Sequence, residues 1–166
     1  MSDHINKINR REFIGGTVAA TLAMATETAL ASVGAEQQSK KKTVKVHPYN
    51  PRTHKAMPTR NLGKTGYQVG IFSLGGQATL ETKGKEKESV AIISRAIDLG
   101  VNYIDTAAGY GDGVSEINIG QVLKDRRNEV FQTSKTADRT YDGSMRLLEK
   151  SLKQLQTDHL DLWQLH

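Results

Sequence analysis

The sequence predicts an α/β fold: the first four strands of a parallel (β/α) barrel of TIM type, entered through an N-terminal β-hairpin. Three observations carry that expectation. From Ile71 to Leu165 short apolar runs of strand type alternate with amphipathic runs of helical period, which implies a parallel sheet with right-handed crossovers. Thr59 to Val69 holds two short runs around a turn bounded by Gly63 and Gly66, the pattern of a hairpin. Polar side chains capable of proton chemistry recur at successive strand ends, and in a parallel barrel all such ends lie on one rim. Strand-helix alternation by itself fits a doubly wound sheet as well as a barrel.

Residues 1–31 precede that pattern. Arg10-Arg11 is followed, after Glu12, by Phe13-Ile14, by an uncharged stretch from Phe13 to Thr26, and by the small residues Ala29-Leu30-Ala31. The uncharged stretch is too short to span a bilayer, which takes about 20 apolar residues, and Gly15-Gly16 makes a poor helix of a folded domain. The segment resembles a twin-arginine export signal. That resemblance implies the twin-arginine translocation machinery as a partner, a periplasmic or extracytoplasmic location, and no stable membrane anchor.

The stretch 32–58 shows no periodicity and contains all three prolines, Pro48, Pro51 and Pro58, so an exposed linker or irregular arm is expected. His47 and His54 lack a neighbouring acidic or histidine cluster and are expected to be solvated, with no metal site. Composition sets further bounds. The absence of cysteine excludes disulfides, thiolate metal sites and a cysteine nucleophile. The net charge of +5 arises outside residues 1–31, whose charges cancel, and part of it is the run Lys40-Lys41-Lys42. Without interleaved aromatics such a run reads as a solvated tail, and no nucleic-acid partner is expected.

In residues 59–166 the elements follow in order. Ile71 to Leu74 is the first strand, ended by Gly75-Gly76. Glu86 to Leu99 places Val90, Ile93 and Ile97 at helical spacing, and Gly100 stands where a C-terminal cap belongs. Val101 to Ile104 is the second strand, delivering Asp105 and then a loop in which Tyr110 lies between Gly109 and Gly111. Ser115 to Lys124 turns Ile119, Val122 and Leu123 inward; Val130 to Thr133 is the third strand; Met145, Leu148, Leu152 and Leu155 form a helical stripe; Leu160 to Leu165 is the fourth strand, followed by His166.

Asp105, Tyr110, Lys135 and His166 therefore fall at or just past three strand ends, and in a barrel they converge. A phenol titrates near about 10. To give up a proton near neutrality it needs a cation beside it, and a carboxylate keeps that cation charged and in place. A neutral imidazole can orient a carbonyl oxygen. Taken singly, each residue also has a structural reading as a surface Lys, a plain ion pair or a chain-end His.

The motifs Arg60-Asn61-Leu62-Gly63-Lys64-Thr65-Gly66, Asn102 to Gly111, Ser115-Glu116 with Ile119-Gly120, Thr133-Ser134-Lys135-Thr136 and Asp158 to His166, in this order, resemble the N-terminal half of an aldo-keto reductase. The resemblance implies hydride transfer between a nicotinamide dinucleotide, NADPH with NADH as the alternative, and the carbonyl of a small aldehyde or ketone. It implies Tyr110 as general acid, Lys135 and Asp105 as its electrostatic support, His166 as the substrate-orienting residue, and Asp105 with Gly76 near the cofactor. Ser134 before Lys135, and His159 and Trp163 where Tyr is commoner, depart from the family pattern without removing any of the four. The family has four more strand-helix units, so a partial chain, inactive alone, is expected. A non-enzymatic regulatory barrel and an isomerase are the rival readings.

Overall fold

The computed structural model describes residues 47–166; the export-signal motif at residues 1–31 lies outside them. The hairpin forms as expected: β1 (Thr59–Asn61) pairs antiparallel with β2 (Gln68–Gly70). Gly63 and Gly66, both at positive φ, carry the chain between the two strands. Four strands then make a parallel sheet, β3 (Leu74–Gly75), β4 (Tyr103–Asp105), β5 (Phe131–Thr136) and β6 (Leu162–Leu165), in the order β3-β4-β5-β6. Every strand lies beside the next one in the chain. A doubly wound sheet reverses its strand order at a switch point, so the sequential order is that of an arc of a barrel.

The connecting helices are α2 (Glu86–Asp98), α3 (Val114–Arg126) and α4 (Tyr141–Leu155), and α3 packs against both of the others. Ile93, Ile97, Ile119, Leu123 and Leu155 are fully enclosed between helices and sheet, together with Ile104 of β4. At about 25 cal/mol per Å² of apolar surface, this layer is the main stabilising element. α4 starts on Thr140, whose hydroxyl accepts the Gly143 N–H at 3.1 Å, a side-chain cap. Met145, expected on its inner stripe, is exposed instead.

The strand boundaries of the parallel sheet shift from expectation, β4 and β6 each starting two residues later (Tyr103 and Leu162), and the shifts at β3 and β5 matter most. The first strand comprises only Leu74 and Gly75, and Ile71 and Phe72 are 62% and 64% exposed. β3 pairs with β4 alone among the described residues, so its apolar lead-in has no neighbouring strand to cover it. β5, by contrast, runs on to Thr136 because β6 pairs with it as far as Thr136↔Leu165. Lys135 thus sits within the strand and not beyond its end.

The stretch 47–58, expected to be exposed, is fastened to the corner between α2 and β4. It contains a one-turn helix, α1 (Thr53–Ala56). Buried Asn50 donates from Nδ2 to the carbonyls of Ile97 (2.8 Å) and Val101 (3.1 Å), and Thr53 Oγ1 donates to Gly100 O (2.8 Å). Three carbonyls at the corner between α2 and β4 thus gain side-chain donors, Ile97 O in addition to the Gly100 N–H. Gly100 caps the helix at φ +95°, and a Cβ there would lie 2.8 Å from the Ala56 methyl. His47 is held to Thr65 O at 3.0 Å and leans on Tyr67, while His54 approaches Thr59. Among the described residues no cluster of side chains could hold a metal ion, and no helix is long and apolar enough to cross a membrane.

The hairpin closes the amino-terminal end of the sheet. Tyr67 packs on Phe131 (ring centroids 4.8 Å), which stacks on Tyr103 (5.4 Å), and Tyr67 Oη donates to Asn102 O at 2.6 Å. Burial raises the Tyr67 phenol well above the usual range, so it stays a neutral donor. The opposite, carboxyl end is left free for chemistry.

Candidate active site

In a parallel pair, residues at one level point to one side of the sheet. Asp105 is level with Gly75 on one neighbour and Thr133 on the other, and Thr133 with Leu162. Two residues further along the same faces stand Lys135 and Gln164, themselves register partners. Alternation therefore puts Asp105, Thr133 and Lys135 on the side away from the helices, while Ile104, Gln132 and Ser134 face the helices.

Lys135 is the centre of the cluster. Its Nζ donates to Asp105 Oδ2 at 2.6 Å and to Thr106 O at 2.7 Å, and reaches Tyr110 Oη at 3.5 Å. An ammonium has three hydrogens and no acceptor, so these contacts account for all of them. Asp105 Oδ1 accepts from Thr133 Oγ1 at 2.7 Å, which fixes the carboxylate plane. The ammonium is about one-tenth exposed and the carboxylate one-third, so their attraction is stronger than that of a fully solvated pair.

Tyr110 is set by the backbone after it. Gly111 (φ 58°) and Asp112 (φ 57°) are both left-handed and turn the chain into α3. A Cβ at Gly111 would come 2.1 Å from Glu81 O, whereas one at Gly109 would meet nothing. Of the two flanking glycines, only Gly111 is required sterically. The His166 ring meets Tyr110 edge-on at 5.6 Å, held by its backbone N–H to Thr136 O (2.8 Å) and by Arg139, which donates to His166 O (2.6 Å). The four residues singled out from the sequence are thus brought together at one end of the sheet.

Gly76 lies one layer beneath. Its N–H donates to Asp105 O (2.7 Å), and a Cβ would come 2.6 Å from both Thr106 Oγ1 and Ser115 Oγ. It is required by packing against the start of α3. Gly75, level with Asp105, has open space where its Cβ would be.

The sequence reading missed the supports: Thr133, Thr106 and a buried link from Ser134 Oγ to Glu116 Oε1 (2.5 Å). Strand alternation was the signal available, since a Ser between Thr133 and Lys135 must face the helices and needs a partner there.

Comparison with known proteins agrees with this geometry. The family model described as "Aldo/keto reductase family" matches residues 68–166. The chain belongs to the aldo/keto reductase family. The oxidoreductase YqkF of Bacillus subtilis is 33% identical over 122 residues, covering 66% of this chain and 39% of that protein. The aldo-keto reductase YhdN of the same organism is 36% identical over 110 residues, covering 59% and 33%. Among solved structures, an aldo-keto reductase from Klebsiella pneumoniae in complex with NADPH superimposes with a TM-score of 0.59 at 33% identity, covering 66% of this chain and 39% of its own. A holo-form aldo-keto reductase from Bacillus halodurans gives 0.57 at 30% identity, covering 66% and 40%. The chain therefore spans about one third to two fifths of the length of these relatives.

Proposed function

We propose that the whole protein reduces the carbonyl group of a small aldehyde or ketone at the expense of NADPH, with NADH as the alternative donor. The observation that carries this reading is the shared ammonium: Lys135 Nζ touches the Asp105 carboxylate and the Tyr110 phenol oxygen together. Because the ammonium donates toward Tyr110 Oη, the phenol's own hydrogen is left to point at a substrate oxygen. Tyr110 then acts as general acid, and Lys135 stabilises the phenolate left after transfer. Asp105 keeps the ammonium charged and aimed, and His166, against the edge of the phenol, orients the carbonyl oxygen.

The donor set fits a nicotinamide dinucleotide, because one proton donor with a cationic support is what reduction of a carbonyl needs from the protein. Asp105 and the exposed Gly75, seated on the buried Gly76, are the residues that would hold it, and when bound it supplies the hydride to the carbonyl carbon. Relatives described as NADPH-dependent codeinone reductase from Papaver somniferum and methylglyoxal reductase from Escherichia coli support both parts of this reading. A putative potassium channel β subunit from Schizosaccharomyces pombe is also a relative, 39% identical over 85 residues; the intact four-residue set favours catalysis over that regulatory role. The 166-residue chain by itself is proposed to be inactive, and residues 1–31 to direct twin-arginine export to the periplasm.

The test is NADPH oxidation by the full-length reductase with methylglyoxal and a panel of small aldehydes. Lys135→Met should lower kcat by about 10²-fold or more, the scale of a lost acid-base support. A parental rate in that variant would refute the assignment.

A further inference from the structure

Beneath the reactive cluster runs a buried polar strut. Glu116 stands in the first turn of α3, just after the turn that carries Tyr110, and is fully enclosed. Its Oε1 accepts from Ser134 Oγ, and Ser134 is the residue immediately before Lys135. Next to Glu116, Ser115 Oγ is hydrogen-bonded to Thr106 Oγ1 at 2.8 Å, and Thr106 O is one of the three acceptors of the Lys135 ammonium. The start of α3 is thereby tied both to β4, which delivers Asp105, and to β5, which delivers Lys135.

The other carboxyl oxygen is incomplete. Glu116 Oε2 is buried without a hydrogen bond, and so is Ser151 Oγ, which faces the same carboxyl from α4. Burial pushes the carboxyl above its usual range against the opposing pull of the Ser134 and Ser151 hydroxyls and of Lys150 on α4. The side chain thus links α3 to β5 through Oε1, with its second oxygen turned toward α4.

We infer that Glu116 is a positioning residue for the Lys135–Tyr110 pair, acting through Ser134; the inference rests on the reading of this site as a carbonyl reductase site. Without the carboxyl, the Ser134 hydroxyl is orphaned in the interior and α3 loses its anchor to β5. The 3.5 Å approach of Lys135 to Tyr110 is the contact with least margin, and a displacement of about 1 Å at such a site costs on the order of 10²-fold in rate.

The experiment compares parental enzyme, Glu116→Gln, Glu116→Ala, Ser134→Ala and Tyr110→Phe in the full-length reductase, measuring kcat and KM for methylglyoxal, NADPH dissociation and circular dichroism. Glutamine keeps an acceptor for Ser134 and a donor for Ser151, so Glu116→Gln should stay within about threefold of the parental kcat. Glu116→Ala and Ser134→Ala, folded, should lose about 10- to 100-fold in kcat while KM and NADPH affinity stay within about threefold. Folded variants with parental kcat and only a lower melting temperature would overturn the inference, as would Glu116→Gln being as slow as Glu116→Ala. If Glu116→Ala fails to fold, Ser134→Ala and Glu116→Gln decide by the same criteria. Tyr110→Phe at the parental rate overturns the site reading and the inference with it; an impaired Tyr110→Phe beside a parental Ser134→Ala overturns the inference alone.

Discussion

At the scale of single residues, the Tyr110 hydroxyl and the buried Glu116 carboxyl separate a proposed chemical role from a structural one. Tyr110→Phe keeps the ring that packs against His166 and removes only the hydroxyl proposed as the proton donor. In the full-length enzyme, carbonyl reduction should fall by about 10²-fold or more, while fluorescence titration should find NADPH affinity unchanged. A parental rate would reduce Tyr110 to a packing residue. Glu116 gives a separate prediction, about stability. Its carboxyl is raised in the folded protein by burial, whereas in the unfolded chain it titrates near about 4.3. Between those two values the folded state holds a proton that the unfolded state has lost, so its contribution to stability falls as pH rises through that window and is flat above it. Glu116→Gln removes this contribution, and its advantage over the parent in urea midpoint should therefore be larger at pH 8 than at pH 5. An advantage independent of pH would show that Glu116 titrates normally.

At the scale of elements, the site depends on how closely α4 approaches α3. Gly120 lies inside α3, and a Cβ there would come 2.2 Å from Gln154 O and 2.9 Å from the backbone of Leu155. In an exposed helix interior, replacing Gly by Ala stabilises by about 1 kcal/mol. Here the obstacle is backbone, which cannot rotate away, so Gly120→Ala should destabilise the full-length protein by about 1–3 kcal/mol. A raised urea midpoint would mean that the two helices have room to separate. The fastening of residues 47–58 belongs to this scale too, because Asn50 donates to two carbonyls at the corner between α2 and β4. Asn50→Ala should cost about 1–3 kcal/mol through the two lost hydrogen bonds, again read from the urea midpoint.

At the scale of the whole molecule, the described sheet has two strands paired on one side only, β3 and β6. Beside them Phe72, Leu99 and Leu165 are 64%, 52% and 67% exposed. Unpaired edges next to large apolar side chains promote pairing with other chains. The 166-residue polypeptide should therefore associate at micromolar concentration by light scattering and fail to bind NADPH tightly; a monomer with micromolar affinity would contradict this. The inner side is not uniformly apolar: Tyr67 packs on Phe131, which stacks on Tyr103, and the levels above them carry Asp105 and Thr133 and then Lys135. The export proposal is tested on the intact chain fused to a reporter. Replacing Arg10 and Arg11 by Lys should retain the fusion in the cytoplasm, and undiminished export would refute the twin-arginine route.

The order of elements and the identity of the four converging residues were legible in the sequence, because both are local. Hydropathic period distinguishes strand from helix, Gly63, Gly66 and Gly100 mark turns, and a residue's place at a strand end follows from where the period breaks. What only the tertiary structure decided is non-local. The sequential order of the strands, which separates a barrel arc from a doubly wound sheet, depends on which edges pair. The extension of β5 through Lys135 depends on β6 arriving beside it. The fastening of Asn50 to carbonyls 47 and 51 positions away, and of Ser134 to Glu116 across 18, rests on hydrogen bonds between buried polar groups. Such bonds leave no periodic trace in a sequence, since their partners are fixed by the path of the chain and by the requirement that every buried donor and acceptor find one.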